Sequence, residues 1–453
     1  MEISKFSISK LHGSYDFELL FKDNTLILLG ENGSCKTTII KMLFYTLSLQ
    51  WGKLSSYNFE KIELHFENNL KKYIIQKKDI VSIAEIDMRR LHHLPPYIRH
   101  EMMDMRRRND FDIDRIQHLC MMYDIPIEYV LGIANEIPDL FSETSNKNQR
   151  RLMKVREELK ELLQDIHILY LPTYRRIEQE LKVVLAGKID EDEYRQNKHN
   201  RSNQEPFTEL IEFGMKDVQE AINTTLTTLK ESSRNNLNQM TLGYLGDIVE
   251  EKYADIEITE LKDVEDDTIQ SIMNRVDESI LSASSKYKLS NTLKSIKNNG
   301  VHNDHDKVVC HYFIKLLHSH NELIQKEKNI REFISVCSRY LKNKTISYDS
   351  PTFTFSIQSN RDGQNVELYQ LSSGEKQIVS LFSQLYLSNQ QNYFVLIDEP
   401  ELSLSVQWQR AFLEDIKNSQ FCCGLVAVTH SPFIFENSLE VYARGLSEFT
   451  KES

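Results

Sequence analysis

The sequence lacks several features that define common classes of protein. Its six cysteines include no C-x-x-C pair, which argues against a structural zinc site and fits a reducing compartment. No apolar run is long enough to cross a membrane, and the first residues contain no signal-peptide core. Lys and Arg number 55 against 67 Asp and Glu, and the net charge of −12 excludes nucleic-acid binding over the whole surface. We therefore expect a cytoplasmic protein.

The chain also has no internal repeat and no heptad pattern long enough for a long coiled coil. Its character changes along the 453 residues, from strand-rich ends to a polar, helix-like middle. This pattern predicts an α/β head whose halves are distant in sequence, with helical insertions between them. The predicted segments are the N-terminal part of the head at 1–85, a helical insertion at 86–165, a strand and loop returning to the head at 166–182, a helical arm at 183–340, and the C-terminal part of the head at 341–453.

A glycine-rich loop follows the apolar strand predicted at Leu26–Leu29 and precedes the helix predicted at Thr37–Leu47. Strand, loop and helix in this order are the context of the phosphate-binding motif G-x-x-x-x-G-K-[ST]. Backbone N–H groups at the helix start would face the phosphates of ATP, Lys36 would reach the β- and γ-phosphates, and the Thr37 hydroxyl would ligate Mg²⁺. The predicted phosphate-binding residues are Gly30, Asn32, Gly33, Ser34, Cys35, Lys36, Thr37 and Thr38.

Cys35 stands where this motif has its second glycine. Glycine at that position lets the backbone approach a phosphate with no Cβ in the way. Two interpretations remain open: the cysteine side chain points aside and the loop still binds ATP, or the nucleotide site is weakened. Because a helix N-terminus lowers the pKa of a thiol, we also predict that Cys35 is sensitive to alkylation and that ATP protects it.

Two further strands end in polar residues near the C-terminus. The strand that begins at Tyr393 ends in Asp398, expected in the Mg²⁺ shell, and Glu399, expected as general base for the attacking water. Val428 ends another strand shortly before His430, which is placed to sense or position the γ-phosphate. A structural interpretation stays open for each, since carboxylates often follow an apolar strand by chance and a single histidine is more often structural.

A serine- and glycine-containing segment opens a helix after Leu371. In the simpler interpretation, Ser372 or Ser373 caps this helix. In the functional interpretation, the helix start is a second anion-binding site that includes a serine hydroxyl. The predicted nucleotide-binding residues of this segment are Ser372, Ser373, Gly374 and Glu375.

Together, and in this order, the four segments resemble the Walker A, signature, Walker B and switch-histidine motifs of ATP-binding-cassette ATPases. The long separation of the first two is similar to that in the soluble SMC-like branch. Within it, the stretches KLHGSYDFELLF, LYLPTYRRIE, LIEFGMKDVQ and IDEPELSLSVQWQ resemble the antiphage-defence ATPases of the Septu system, PtuA. Cys35 and Ser373 stand where the class pattern has glycine, which affects hydrolysis more than the fold.

The resemblance implies a mechanism and a partner. ATP bound by one head is closed over by the signature of another, so that two nucleotides lie in a head-to-tail dimer. Ser372 and Gly374 would then act in trans, and Glu401–Ser405 would lie near the seam between the heads. The chain has no recognisable nuclease centre and too few residues after His430 for a cleavage domain, so the implied nuclease is a separate HNH protein similar to PtuB.

Two other classes of function remain as alternatives. One is a DNA-repair ATPase of the SMC or RecF type that acts directly on DNA. The other is a scaffold that binds ATP with little hydrolysis.

Three clusters have less specific signals. Residues 89–108 form a basic island with Tyr97 interleaved, which is either a nucleic-acid contact or a solvated face. Histidines crowd the segment from His302 to His320, but their spacing matches no known metal motif, and packing on helix faces is the favoured interpretation. Arg175 and Arg176 follow a predicted strand, where they would contact phosphates, a partner or a surface carboxylate.

Overall fold

The structure, a computed structural model, describes residues 2–31, 33–67, 69–84, 95–107, 113–123, 143–172, 207–209, 214–254, 259–276, 281–301, 303–388 and 390–452. The chain divides into two units, the first formed by Met1–Glu212 with Gln390–Ser453 and the second by Phe213–Asn389. Residues 341–388 belong to the second unit, whereas the sequence grouped them with the C-terminal part of the head. Among the helices in the described ranges, none has the length and apolarity needed to span a membrane.

Strands occur mainly toward the two ends of the chain and helices mainly between them. The strands are β1 Ile3–Leu11, β2 Tyr15–Leu20, β3 Thr25–Leu29, β4 Lys61–Phe66, β5 Asn69–Gln76, β6 His167–Leu171, β7 Phe207–Glu209, β8 Lys344–Asp349, β9 Thr354–Ser359, β10 Tyr393–Asp398, β11 Cys422–Thr429, β12 Ala443–Gly445 and β13 Thr450–Glu452. The helices are α1 Lys36–Leu47, α2 Trp51–Leu54, α3 Lys77–Ala84, α4 Pro96–Arg107, α5 Ile113–Met122, α6 Glu143–Leu163, α7 Met215–Val249, α8 Thr259–Lys262, α9 Asp266–Arg275, α10 Ala283–Asn299, α11 Asp304–Ser338, α12 Ser373–Leu387 and α13 Val406–Lys417.

A parallel sheet of the order β12-β3-β11-β10-β6-β7 lies at the centre of the first unit. Strands β10 and β11 are almost entirely buried, as expected for apolar runs covered on both faces. The sequence predicted both as strands that end near polar residues, and both strands are confirmed. Ile397 pairs with Ala427, which in turn pairs with Ile27, so the carboxyl ends of β10, β11 and β3 reach the same edge of the sheet.

An antiparallel sheet of the order β13-β2-β1-β4-β5 forms the other layer of this unit. Phe6 and Ile8 of β1 are buried in alternation with more exposed residues, the pattern of a strand with one covered face, and Ile3 is buried beyond an irregularity in the β1–β4 pairing. Strands β1 and β2 pair antiparallel across a short turn, and β4 and β5 form an antiparallel hairpin. Helix α1 packs into the same core, where the rings of Phe44 and Tyr170 stack with centroids 4.8 Å apart.

Two helices of 35 residues each, α7 and α11, dominate the second unit and run antiparallel. The Tyr244 hydroxyl donates to the Val308 carbonyl at 3.1 Å, and further along Asn236 donates to Glu322 at 3.2 Å. The sequence has no heptad pattern long enough for a long coiled coil, and it gave no signal for this pairing of helices. The reason is physical: the contact combines apolar and polar pairs, so it leaves no sustained heptad pattern in either helix.

A buried carboxylate lies where helices α9 and α11 meet the β8–β9 hairpin. Glu327 is fully buried and accepts two hydrogen bonds from Arg275, at 3.0 and 3.1 Å. Arg331 donates to it at 2.7 Å, the Tyr348 hydroxyl at 3.0 Å and the Ser350 hydroxyl at 3.2 Å. These five residues join three elements of the second unit through one charge.

Candidate nucleotide site

The glycine-rich loop leads from β3 into α1 with a tightly wound backbone. A Cβ on Gly30 would lie 2.8 Å from the Ser34 Oγ, and Gly33 has a φ of 82°, so glycine is favoured at both positions. No side chain caps the N-terminus of α1 among the described residues. The first N–H groups of the helix are therefore available to an anion. Asn32, a predicted member of the loop, lies outside the described residues.

Cys35 is the residue immediately before α1 and has a φ of 65°, in the left-handed region that favours glycine. Its side chain is half-buried and packs against the core of the first unit. This packing favours the interpretation in which the side chain points aside. Burial raises the pKa of the Cys35 thiol, so the lowered pKa expected from the sequence is wrong, and the prediction of easy alkylation loses its basis.

Lys36 is folded over the loop that precedes it. Its Nζ donates to the carbonyl oxygens of Gly30 at 2.7 Å and Glu31 at 2.6 Å, and to the Ser34 Oγ at 3.2 Å. The residue is buried, and burial lowers the pKa of its amine. Its contacts are to neutral acceptors, which phosphate oxygens would replace with stronger hydrogen bonds between opposite charges.

The Thr37 hydroxyl donates to the Asp398 Oδ1 at 3.2 Å, although the two residues are 361 positions apart in the chain. Asp398 is fully buried at the end of β10, and Thr37 lies in the first turn of α1, followed by the half-buried Thr38. A hydroxyl and a carboxylate are hard oxygen donors of the kind Mg²⁺ prefers beside phosphates. These residues fit the predicted metal role.

Glu399 follows Asp398 in a strained backbone conformation. Its φ is 51°, in the left-handed region, and Pro400 after it further restricts the allowed conformations. Its backbone N–H donates to the Val428 carbonyl at 2.8 Å, which extends the β10–β11 pairing. Burial raises the pKa of the carboxyl group, and the negative charges of Asp398 and Glu401 raise it further. A carboxylate with a raised pKa is better suited to accept a proton from water.

His430 is exposed at the carboxyl end of β11, the strand between β3 and β10. Its backbone N–H donates to the Glu401 Oε1 at 2.8 Å, and the Thr429 hydroxyl donates to the Oε2 of the same carboxylate at 2.8 Å. The sequence placed Glu401 only near a dimer seam and missed this contact. The available signal in the sequence was a carboxylate two residues after Glu399, in the turn that follows the strand. It could have indicated a contact with the end of a neighbouring strand.

The signature segment belongs to the second unit. Ser372 is the N-cap of α12: its Oγ accepts from the Glu375 N–H at 3.4 Å, and the Glu375 carboxylate accepts from the Ser372 N–H at 2.8 Å. Lys344 donates to the same carboxylate at 2.7 Å. Burial opposes ionisation of Glu375, but Lys344 and Ser372 hold its pKa below the usual value. Ser373 and the buried Gly374 form the first turn of the helix.

The less specific clusters are described only in part. His311 contacts Asp247 at 3.3 Å and His318 contacts Glu260 at 2.9 Å, each through a single carboxylate. His320 is buried, which lowers its pKa to about 4. The residues of these clusters that lie outside the described ranges are Arg89, Arg90, His92, His93, Arg108, Arg175, Arg176 and His302.

The carboxyl ends of three adjacent parallel strands thus bring together a phosphate-type loop, an oxygen pair suited to Mg²⁺ and a glutamate of raised pKa. This combination defines a P-loop ATPase of the α/β class with an antiparallel N-terminal sheet and helical insertions, and the predicted fold class is confirmed. Residues 1–435 match the family described as AAA ATPase domain, and the chain belongs to that family.

Other similar proteins match a smaller part of the chain or share only a low identity with it. The Retron Vc95 probable ATPase of Vibrio cholerae serotype O1 biovar El Tor is 28% identical over 123 residues, which cover 25% of this chain and 23% of that protein. The match thus spans about a quarter of that relative's length. Solved structures that align include a Smc head domain with an extended coiled coil, bound to the C-terminal domain of ScpA and derived from Pyrococcus furiosus, and a SmcHead bound to the C-winged helix domain of ScpA. Each is 11% identical and covers 96% of this chain and 91% of the other, with TM-scores of 0.34 and 0.33, too low to carry an argument.

Proposed function

We propose that this chain is the ATP-binding and ATP-hydrolysing subunit of an antiphage defence complex in the cytoplasm. It dimerises head-to-tail around ATP and Mg²⁺ and regulates a separate HNH nuclease similar to PtuB. The contact between Thr37 and Asp398 carries the ATPase part of this proposal, because it joins the phosphate loop to the carboxylate strand in one site. The defence role and the nuclease partner are supported by the resemblance of four sequence segments to the Septu ATPases.

Each residue of the site has a distinct task in the proposed reaction. Lys36 binds the β- and γ-phosphates after it releases the loop carbonyls that it now contacts. Thr37 and Asp398 would hold Mg²⁺, which offsets phosphate charge when bound. Glu399 accepts the proton of the attacking water, and its raised pKa makes it a stronger base than an ordinary carboxylate. His430 is the candidate sensor of the γ-phosphate.

Substitution of Lys36 by alanine tests the proposal. Phosphate release should fall by about 100-fold or more, because one charged contact to the transferred group is lost. The ATP-dependent increase in the mass of the assembly, read by light scattering, should disappear. Lys41→Ala, on the same helix, is the matched control and should retain both properties. If Lys36→Ala behaves like the control, the proposed site is wrong.

A scaffold that binds ATP with little turnover is the second candidate function. The observation in its favour is Cys35, which holds a left-handed conformation in the loop where glycine would be relaxed. This candidate predicts tight ATP binding without phosphate release, and no change on Glu399→Gln. The same binding and phosphate-release assays therefore separate the two functions.

A further inference from the structure

A single carboxylate connects the turn that follows β10 with the end of β11. Glu401 accepts one hydrogen bond from the Thr429 hydroxyl and one from the His430 backbone N–H, both at 2.8 Å. Thr429 is fully buried, and its hydroxyl has a second, longer contact to the Ser431 carbonyl at 3.5 Å. Both oxygens of Glu401 are thus occupied by the two residues at the carboxyl end of β11.

The surrounding contacts hold both turns in place. The Glu401 carbonyl accepts from the Leu404 N–H at 3.1 Å, which folds the turn after β10. On the other side, the Ser431 N–H donates to the Thr429 Oγ1 at 3.0 Å, and the Ser431 hydroxyl donates to the Gln409 Oε1 at 2.7 Å. Glu401 is the charged member of this network, and charge-assisted hydrogen bonds are about twice as strong as neutral ones.

We propose that Glu401 is a positioning residue for ATP turnover that acts through His430. By fixing the His430 backbone, it fixes where the imidazole stands at the edge of the sheet, beside the strand ends that carry Glu399 and the phosphate loop. Loss of the carboxylate leaves a buried hydroxyl and a backbone N–H to find other acceptors, so the histidine samples more positions. A misplacement of about 1 Å in an active site costs about 100-fold in rate. This inference rests on the proposed ATPase function.

A double-mutant cycle in the full-length chain tests the inference. The variants are Glu401→Ala, His430→Ala and the double variant, and the readouts are kcat, KM and the ratio of ADP to ATP dissociation constants. Each single variant should lower kcat by about 10-fold or more and change KM much less, because positioning is lost and binding is kept. The double variant should be no slower than His430→Ala, since a residue that acts through His430 then has nothing left to act on.

A conservative variant and a matched control exclude a merely structural role. Glu401→Gln should recover most of the lost kcat, because its amide oxygen still accepts from the His430 N–H and its NH₂ donates to the Thr429 oxygen. Glu414 accepts from the backbone N–H of Ser438 at 3.0 Å and from its hydroxyl at 2.5 Å, the same two types of donor. Because the Glu414 contacts are exposed, Glu414→Ala should lower the thermal midpoint less than Glu401→Ala, while kcat stays unchanged.

Three outcomes would overturn the inference. The first is a double variant in which the two losses multiply, because Glu401 then acts independently of His430. The second is a Glu414→Ala protein as slow as Glu401→Ala. The third is a failure of the proposed function itself, which a separate variant recognises. In that case, Lys36→Ala has the same rate of phosphate release and the same ratio of ADP to ATP dissociation constants as the wild-type chain.

Discussion

In each unit of this protein, a serine-containing segment precedes a helix, but the N–H groups at the two helix starts have different partners. Helix α1 follows Cys35 and has no side-chain cap among the described residues. Helix α12 follows Ser372 in a capping box closed by Glu375, whose carboxylate also binds Lys344. The first start offers open N–H groups to an anion, whereas the protein itself satisfies part of the second.

This difference indicates unequal contributions to nucleotide binding. A phosphate that approaches α1 gains unpaired N–H groups and the Lys36 ammonium. A phosphate that approaches α12 is repelled by the negative charge of the Glu375 carboxylate, although the Lys344 ammonium partly offsets this charge. We therefore expect the loop before α1 to supply most of the affinity for ATP. We expect the start of α12 to contribute mainly to ATP-dependent dimerisation.

The largest expected effect is on chemistry in the first unit. Glu399→Gln removes the proposed general base, and phosphate release should fall by about 10²- to 10⁴-fold while ATP binding is retained. Rapid-quench phosphate release and fluorescent-nucleotide binding measure the two quantities. Glu436→Gln, at an exposed position of the same unit, is the control and should leave both unchanged. Equal loss of binding and turnover would mean that Glu399 has a structural role.

The second effect is on the stability of the second unit. Glu327→Ala leaves Arg275 and Arg331 without their shared carboxylate, and breaking a buried ion pair in this way costs about 3–5 kcal/mol of unfolding free energy. Urea unfolding with a probe in the second unit measures it. Glu332→Ala on the same helix breaks an exposed pair with Lys328 and should cost about 0.5 kcal/mol or less. Similar costs for the two variants would contradict the network as described.

A smaller effect separates capping from assembly at α12. Ser372→Ala should cost about 1 kcal/mol of stability because the helix loses its N-cap. Ser282→Ala removes the N-cap of α10, where the hydroxyl accepts from the Ser285 N–H at 3.3 Å, and should cost a similar amount. If Ser372 also acts in trans, its variant alone should weaken ATP-dependent dimerisation in light scattering. Equal behaviour of the two variants would limit Ser372 to a capping role.

The smallest effect is at Cys35. Cys35→Gly relaxes a left-handed residue at the helix start, and we expect ATP to bind up to about five-fold tighter, which corresponds to about 1 kcal/mol of relieved strain. Titration calorimetry measures the change. Cys422→Ala, a cysteine substitution on β11 away from the loop, is the control. Weaker binding by the glycine variant would show that the packing of the cysteine side chain outweighs the strain.

Much of the first unit was predictable because its signals are local. The apolar runs that become β3, β10 and β11 are continuous in the sequence, and the glycine-rich loop lies between a strand and a helix as expected. The second unit was predicted only in part, because its helices were expected from the sequence but their antiparallel pairing was not. The direction of the Cys35 thiol pKa was wrong because the sequence shows the nearby helix start and not the core into which the side chain packs.

The sequence by itself determined the α/β character of this chain and the order of its motifs, because strand runs and phosphate loops depend on neighbouring residues. It also indicated Lys36, Asp398 and Glu399 as candidate site residues. Only the tertiary structure decided that Glu401 accepts hydrogen bonds from residues at the end of β11 and that Glu327 forms ion pairs with two arginines. These contacts join residues that are distant in the chain, and a carboxylate in a turn or a polar helix has the same local sequence whether it meets water or a buried partner. The energetic difference arises from burial, which folding alone creates.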